Sequence, residues 1–176
     1  MFSVTRRLAA AALVLGCLAA SAWAADAPKV KFVTSAGEIV VEVYPDKAPK
    51  TAENFLQYVK DKHYDGTVFH RVIPMGIVQG GDPLSKDPRP TAPLGSGGLG
   101  VLQAEHSAEP FTRGVVGAAL RPGQPDSGGA QFFVCVTDQP ALAGQFTVFA
   151  RVGPVKRQYW MRQGAVWKIF FEGVIG

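Results

Sequence analysis

The sequence predicts a mainly β domain, either a barrel or a sandwich. Short runs of alternating apolar and polar residues recur along the chain, glycine- and proline-rich turns separate them, and one stretch has the spacing of an amphipathic helix. The chain has 176 residues, of which 47% are hydrophobic and 18% are charged, as is typical of a globular protein. A chain of this length forms about one domain with a core of its own.

The first predicted elements are a hairpin and a helix. Alternation over residues 30–34 and 39–43, with a turn at 35–37 that contains a glycine, favours two antiparallel strands. A helix is predicted over 51–59, and Pro49, shortly before it, suits a first helical turn. The apolar stripe of this helix consists of Ala52, Phe55, Leu56 and Val59.

Further short strands follow the helix. They are predicted over residues 68–73, 77–79, 115–120, 131–136 and 146–152. Residues 80–112 are rich in loop-forming residues. We therefore expect one domain over residues 25–152, followed by a divergent tail over 153–176 in which Trp160, Gly164, Trp167 and Phe171 have roughly helical spacing.

Residues 1–24 have the pattern of a bacterial secretory signal. Arg6 and Arg7 precede an apolar run, Leu8–Ala20, which is too short for a comfortable membrane span, and Ala22–Ala24 supplies a cleavage site. The sequence thus predicts a mature chain that begins at Ala25 and a periplasmic location. A buried N-terminal helix and a lipid anchor at Cys17 are the less favoured alternatives.

Charge and composition argue against several classes of function. The formal net charge of +4 comes from the two ends, because residues 25–152 carry one more acid than base, so no basic footprint for nucleic acid is expected. The three histidines lack metal-ligand spacing, and Cys135, in an apolar run, reads as a small buried residue. The segment Gly95–Gly100 matches a dinucleotide fingerprint, but prolines precede it where a strand is needed, so we interpret it as a loop.

Two stretches carry the chemistry of the chain, Phe69–Asp82 and Asp126–Val134. Alternation predicts that Arg71 shares a strand face with Phe69 and Ile73. A charged residue in such a position is unusual. It is either functional or an arginine whose aliphatic stem lies along an apolar surface.

Four ordered blocks in this chain resemble the cyclophilins, the family of peptidyl-prolyl cis-trans isomerases. The blocks are Phe69–Pro74, Gln79–Asp82, Gln131–Phe133 and Phe146–Phe149, and the resemblance covers about residues 30–152. It implies a closed eight-stranded antiparallel β-barrel capped by helices. Residues 153–176 depart from the family pattern, through either a reading-frame shift or divergence, and the last helix and strand are expected to be altered. We further expect a monomer that needs no cofactor or metal and has no stable membrane span.

The resemblance also implies the residues of the site. Arg71 matches the catalytic arginine of the family, and Gln79 matches a residue that holds the substrate backbone. Phe133 would form the floor of a proline pocket. The remaining substrate-binding positions are Leu142 and Phe146 on the wall of that pocket, together with Ala119 and Gln131.

The implied activity is isomerisation of X–Pro bonds in unfolded or extended polypeptides, which assists folding. The alternative is a non-catalytic module or holdase that binds proline-containing peptides on the same barrel. One departure bears on the pocket: Met75–Gly76 stands where the family usually has an aromatic residue after the proline. We expect Met75 to fill part of the gap.

Overall fold

The computed structural model describes residues 27–90, 92–100 and 102–153, and the backbone alone of 169–175. The predicted leader, including Cys17, and residues 154–168 of the predicted tail lie outside these ranges. Seven strands between residues 29 and 152 form one antiparallel sheet that curls into a half-barrel with one helix, and an eighth strand pairs with its end. The prediction of a mainly β, antiparallel fold is confirmed.

The strands follow one another in the chain but not in the sheet. They are β1 Lys29–Thr34, β2 Gly37–Val43, β3 Arg71–Val72, β4 Ile77–Gly80, β5 Val115–Ala118, β6 Phe132–Cys135, β7 Val148–Val152 and β8 Ile169–Ile175. The order across the sheet is β3-β4-β6-β5-β7-β2-β1-β8. Strands β3, β4 and β6 are therefore neighbours, although about 60 residues separate β3 from β6 along the chain.

The predicted hairpin is formed by β1 and β2. Thr34 pairs with Gly37 at its end, and the Thr34 hydroxyl donates to the Gly37 carbonyl over 2.7 Å. Gly37 has a φ of +127°, which a side chain would disfavour, so the glycine in this turn is required by the backbone.

The predicted helix is α1, Pro49–Lys60. Its N-cap residue, Ala48, offers no side-chain acceptor, and the carboxylate of Glu105 takes that role from a distant loop. Glu105 accepts hydrogen bonds from the backbone N–H groups of Lys50 (3.1 Å) and Thr51 (2.8 Å). This contact satisfies donors that the first turn of a helix leaves unpaired.

The main core lies between α1 and one face of the sheet. Phe55 of α1 packs with Phe132 of β6 and Phe149 of β7, with ring centroids 6.0 and 5.0 Å apart. Tyr64 is fully buried in the same cluster, and its hydroxyl donates to the Ala130 carbonyl over 2.9 Å. The buried hydroxyl of Tyr64 thus has a hydrogen-bond partner.

Two predictions about elements need correction. The strand predicted over 68–73 is regular only at Arg71–Val72, because the chain enters it from the turn at 61–66. The helical spacing predicted for the tail ends at Phe171, but this part of the backbone is not helical. Ile169–Ile175 is a strand paired with β1. Tertiary pairing overrides a weak local pattern in both places.

Candidate active site

Strand register brings three of the predicted site residues onto one line across the sheet. Arg71 of β3 pairs with Gln79 of β4, and Gln79 pairs with Phe133 of β6. Phe133 in turn pairs with Gly117 of β5. Directly opposed residues on neighbouring strands project to the same face. We call this line of four residues the cross-strand row; it lies on the face opposite the main core, to which Phe132 and Val134 contribute.

The polar end of the row is joined by hydrogen bonds. Arg71 is exposed, and its Nη1 donates to Gln79 Oε1 over 3.2 Å. Gln79 Nε2 donates to Oε1 of Gln131 over 2.9 Å, and Gln131 is 1% exposed. No carboxylate among the described residues forms an ion pair with Arg71. Most N–H groups of the guanidinium therefore face outward, available to a bound molecule.

The apolar end of the row is a small aromatic cluster. The ring of Phe133 stacks on Phe111 at 6.1 Å and meets the edge of Phe146 at 5.3 Å. Leu142 and Phe146 are partly exposed at its margin. The cluster, which we call the open cluster, comprises the buried residues Phe111, Val115, Ala119, Phe133, Cys135 and Val148 and the partly buried Ile77, Leu142 and Phe146.

A glycine makes room for the Phe133 ring. A Cβ atom built on Gly117 would lie 2.5 Å from Cζ of Phe133, which is closer than real atoms approach. The far end of the ring therefore occupies the space that a side chain at Gly117 would take. This contact explains why the residue opposite Phe133 has no side chain.

All seven predicted site residues lie in this region. Ala119 is buried in the open cluster, and its backbone N–H donates to the Gln131 carbonyl over 3.0 Å. Phe111 and Ile77 were missed by the sequence interpretation. The alternation of Ile77 with Gln79 along β4 could have indicated the second. Phe111 lies in a loop, where no periodic pattern signals burial.

Two predictions about side-chain placement are wrong. Phe69 does not share a face with Arg71, because it packs edge-on against Phe132 at 6.2 Å in the main core. Alternation fails here since only Arg71–Val72 is regular strand. Met75 does not fill a gap in the pocket: it sits in a left-handed turn with φ +57° and is 76% exposed.

Titratable groups near the site offer neither a metal centre nor a reactive thiol. Among the described residues, no group of three or more His, Cys, Asp or Glu could hold a metal ion. Burial, with a smaller contribution from Asp138, raises the pKa of Cys135 to about 11. The predicted burial of Cys135 is confirmed, and a raised pKa disfavours the reactive thiolate. Burial also lowers the pKa of His70, next to Arg71, against an opposing contribution from Asp82.

Comparison with known proteins decides the family. The model of the cyclophilin type peptidyl-prolyl cis-trans isomerase/CLD family matches residues 29–158. The chain belongs to the cyclophilin-type peptidyl-prolyl cis-trans isomerases. A fission yeast peptidyl-prolyl cis-trans isomerase, ppi1, is 35% identical over 127 residues, which are 70% of this chain and 77% of the relative. A peptidyl-prolyl cis-trans isomerase of Acinetobacter baylyi is 38% identical over 148 residues, covering 80% and 74% of the two chains.

Solved structures agree with this cyclophilin assignment. A cyclophilin type isomerase of Cryptosporidium parvum, crystallised in the presence of the dipeptide Ala-Pro, superposes with a TM-score of 0.64 at 26% identity, covering 73% of this chain and 80% of that one. The enzyme described here is a peptidyl-prolyl cis-trans isomerase. Within the described residues, none of its helices combines the length and apolar character that crossing a bilayer requires.

Proposed function

We propose that this isomerase acts on X–Pro bonds of unfolded or extended polypeptides, with Arg71 as its catalytic residue. The cross-strand row supports this assignment, because it places a guanidinium and an aromatic floor on one face with an amide between them. Two strand spacings of about 4.8 Å separate the Arg71 backbone from that of Phe133. The long arginine side chain spans much of that distance, so its N–H groups and the ring can contact neighbouring atoms of one dipeptide.

The chemistry requires no covalent step. Rotation of an X–Pro bond meets a barrier of about 18–20 kcal/mol because resonance keeps the amide planar. Twisting the bond removes the resonance and leaves a pyramidal, basic nitrogen. A donor directed at this part of the substrate stabilises the twisted state more than either planar state, and that difference is what accelerates the reaction. A guanidinium suits this task because it remains charged at any working pH.

The remaining residues of the site bind different parts of the substrate. The proline ring lies on Phe133, with Leu142 and Phe146 at the margin, where the open cluster is partly exposed. Gln79, held between Arg71 and Gln131, binds the substrate backbone. Ala119 lines the apolar side. The Ala-Pro dipeptide used with the Cryptosporidium parvum relative supports a proline-containing ligand for this site.

We further propose the setting in which the enzyme works. Cleavage after Ala24 delivers a mature monomer to the periplasm, and the sheet closes into the eight-stranded barrel of its family. Pairing of β8 with β1 supplies the eighth strand that such a barrel needs, and the charged-then-apolar leader supports export. N-terminal sequencing of exported protein tests the cleavage; a first residue at a lipidated Cys17 would contradict it.

Substitution of Arg71 tests the catalytic role. Arg71→Ala should lower kcat/KM about 10²–10³-fold in a protease-coupled prolyl isomerase assay, because oriented donors of this kind contribute about 3–4 kcal/mol. Arg71→Lys should recover little, since a point charge does not reproduce the planar fork. Titration with a proline peptide should show that binding through Phe133 persists. A folded Arg71→Ala enzyme as fast as the parent would show that the arginine merely covers surface and would reopen the non-catalytic alternative.

A further inference from the structure

A buried carboxylate lies behind the polar end of the cross-strand row. Asp82 lies two residues beyond the end of β4 and has no exposed surface; it is the one charged residue among those described that is buried to this degree. Burial of a carboxylate is costly unless hydrogen bonds replace its water. The partners of Asp82 therefore indicate what it holds in place.

Backbone amides supply all the hydrogen bonds that the described residues make to this carboxylate. Oδ1 accepts from the N–H of Leu84 over 2.8 Å. Oδ2 accepts from the N–H groups of Gly95 (2.5 Å) and Gly97 (3.4 Å). One oxygen thus caps a local turn, whereas the other fixes a loop 13 to 15 residues away. A Cβ on Gly97 would collide with Asp82 Oδ1, so this close approach needs glycine.

The loop held by Asp82 in turn orients Gln131. The carbonyls of Gly95 and Gly97 both accept from Nε2 of Gln131, over 2.9 and 2.5 Å. Because both Nε2 protons are engaged, the Oε1 atom of Gln131 faces Gln79 and accepts from its Nε2. The Oε1 atom of Gln79 is then left to accept from Arg71. Reversal of either amide would set two donors or two acceptors against each other.

We propose that Asp82 is a positioning residue for Arg71. It acts through three links: the amides of Gly95 and Gly97, the side chain of Gln131 and the side chain of Gln79. The inference rests on the proposed catalytic role of Arg71. It assigns a role in the reaction to a residue buried behind the site, and it explains the glycines at 95 and 97 as part of the catalytic geometry.

Asp82→Asn is the direct test. Asparagine can retain the acceptor for Leu84, but its amide nitrogen cannot accept from Gly95 and Gly97. Displacement of a catalytic group by a fraction of an ångström to an ångström costs up to about 10²-fold in rate. We expect kcat to fall at least about tenfold, and KM to rise by a smaller factor because Gln79 also binds the substrate backbone. The side-chain amide resonances of Gln79 and Gln131 should shift as well.

Glu105→Gln is the matched control. Glu105 is also a carboxylate that accepts from backbone N–H groups of a distant segment, but no hydrogen bond connects it to Gln131 or Gln79. This control should lower the melting temperature and leave kcat unchanged. If Asp82→Asn behaves like the control, with a lower melting temperature and the kcat of the parent, Asp82 is merely structural and the inference fails.

A double-mutant cycle separates this inference from the proposed function. If Asp82 acts through Arg71, adding Asp82→Asn to Arg71→Ala should change kcat less than about twofold. A further tenfold loss in that background would overturn the positioning role while leaving Arg71 catalytic. An Arg71→Ala enzyme with full activity would instead overturn the proposed function. If Asp82→Asn does not fold, Gly97→Ala is the second variant to measure, because it keeps the carboxylate but displaces it. An unchanged kcat in Gly97→Ala would also contradict the inference.

Discussion

Phe132 and Phe133 are neighbours in β6 and are 2% and 3% exposed, yet they belong to different parts of the molecule. Phe132 lies in the main core, where it contacts Phe55 of the helix and Phe69. Phe133 lies in the open cluster, whose marginal members Leu142 and Phe146 are partly exposed. Burial alone does not distinguish a structural aromatic residue from a binding one. The surroundings do: one ring is enclosed on every side, and the other has an open margin and a polar row beside it.

Truncation of each phenylalanine is the strongest test of this contrast. Phe132→Ala should lower the free energy of unfolding by about 3–5 kcal/mol, because it leaves a cavity in an enclosed core. Phe133→Ala should cost less stability, since the open margin lets its surroundings relax, and should weaken proline-peptide binding at least about tenfold. Denaturant unfolding and peptide titration measure the two effects. Equal losses of stability with unchanged peptide binding in both variants would abolish the distinction.

Removal of the chain after Val152 tests the other end of the sheet. The truncation deletes β8, whose register with β1 comprises six residue pairs. Backbone hydrogen bonds contribute about 0.5–1.5 kcal/mol each, so we expect a loss of about 3 kcal/mol or more. The melting temperature should fall by about 6–12 °C, whereas the protein that remains folded should keep its kcat/KM. Lower activity at an unchanged melting temperature would show that the tail belongs to the site.

Gly117→Ala sharpens the comparison within the open cluster. The added methyl group collides with the Phe133 ring and forces it away from β5. Overpacking of this kind costs about 1–3 kcal/mol. KM for a proline peptide should rise although every catalytic side chain is still present. Gly66→Ala is the control: Gly66 lies in a turn with φ +76° and has open space around its Cβ, so its substitution should lower stability without changing KM.

The smallest effect concerns the carboxylate that caps α1. Partial burial raises the pKa of Glu105, but hydrogen bonds from Thr51 and Lys50 outweigh it and lower the pKa overall. A lowered folded-state pKa contributes stability above the unfolded value, near 4.5, and that contribution is lost as the pH falls through the folded value.

Glu105→Gln should therefore cost about 1 kcal/mol at pH 7, a typical value for an N-cap. The difference between variant and parent should shrink below about pH 4.5 in acid unfolding curves. Glu109→Gln, which removes a surface ion pair with Lys47, should cost less. A difference that grows as the solution is acidified would contradict the assigned direction of the pKa shift.

Much of the fold could be predicted because its signals are local. The hairpin of β1 and β2 has alternation and a glycine turn, and α1 has an apolar stripe at helical spacing. The short strand β3 could not be delimited, because two regular residues carry too little periodicity. The face of Phe69 was wrong for the same reason.

The residues of the candidate site could be predicted from a family resemblance, whereas the contacts that support them could not. Arg71, Gln79 and Phe133 stand in recognisable motifs, but the register that aligns them depends on pairing between distant segments. Asp82 is two residues beyond β4 in sequence and meets Gly95 and Gly97 only in the folded chain. Phe111 likewise reaches the pocket from a loop, where no pattern marks it.

The cross-strand row also determines which changes of length the gene can tolerate. Insertion or deletion of one codon within β4 or β6 would transfer Gln79 or Phe133 to the other side of the sheet, because side chains alternate with a period of two. No single substitution elsewhere could restore the alignment. The exposed segment Asp87–Arg89 carries no member of the row and can gain or lose residues without shifting it. Natural length variation among relatives of this enzyme should therefore accumulate in such bends and be absent from the paired strands.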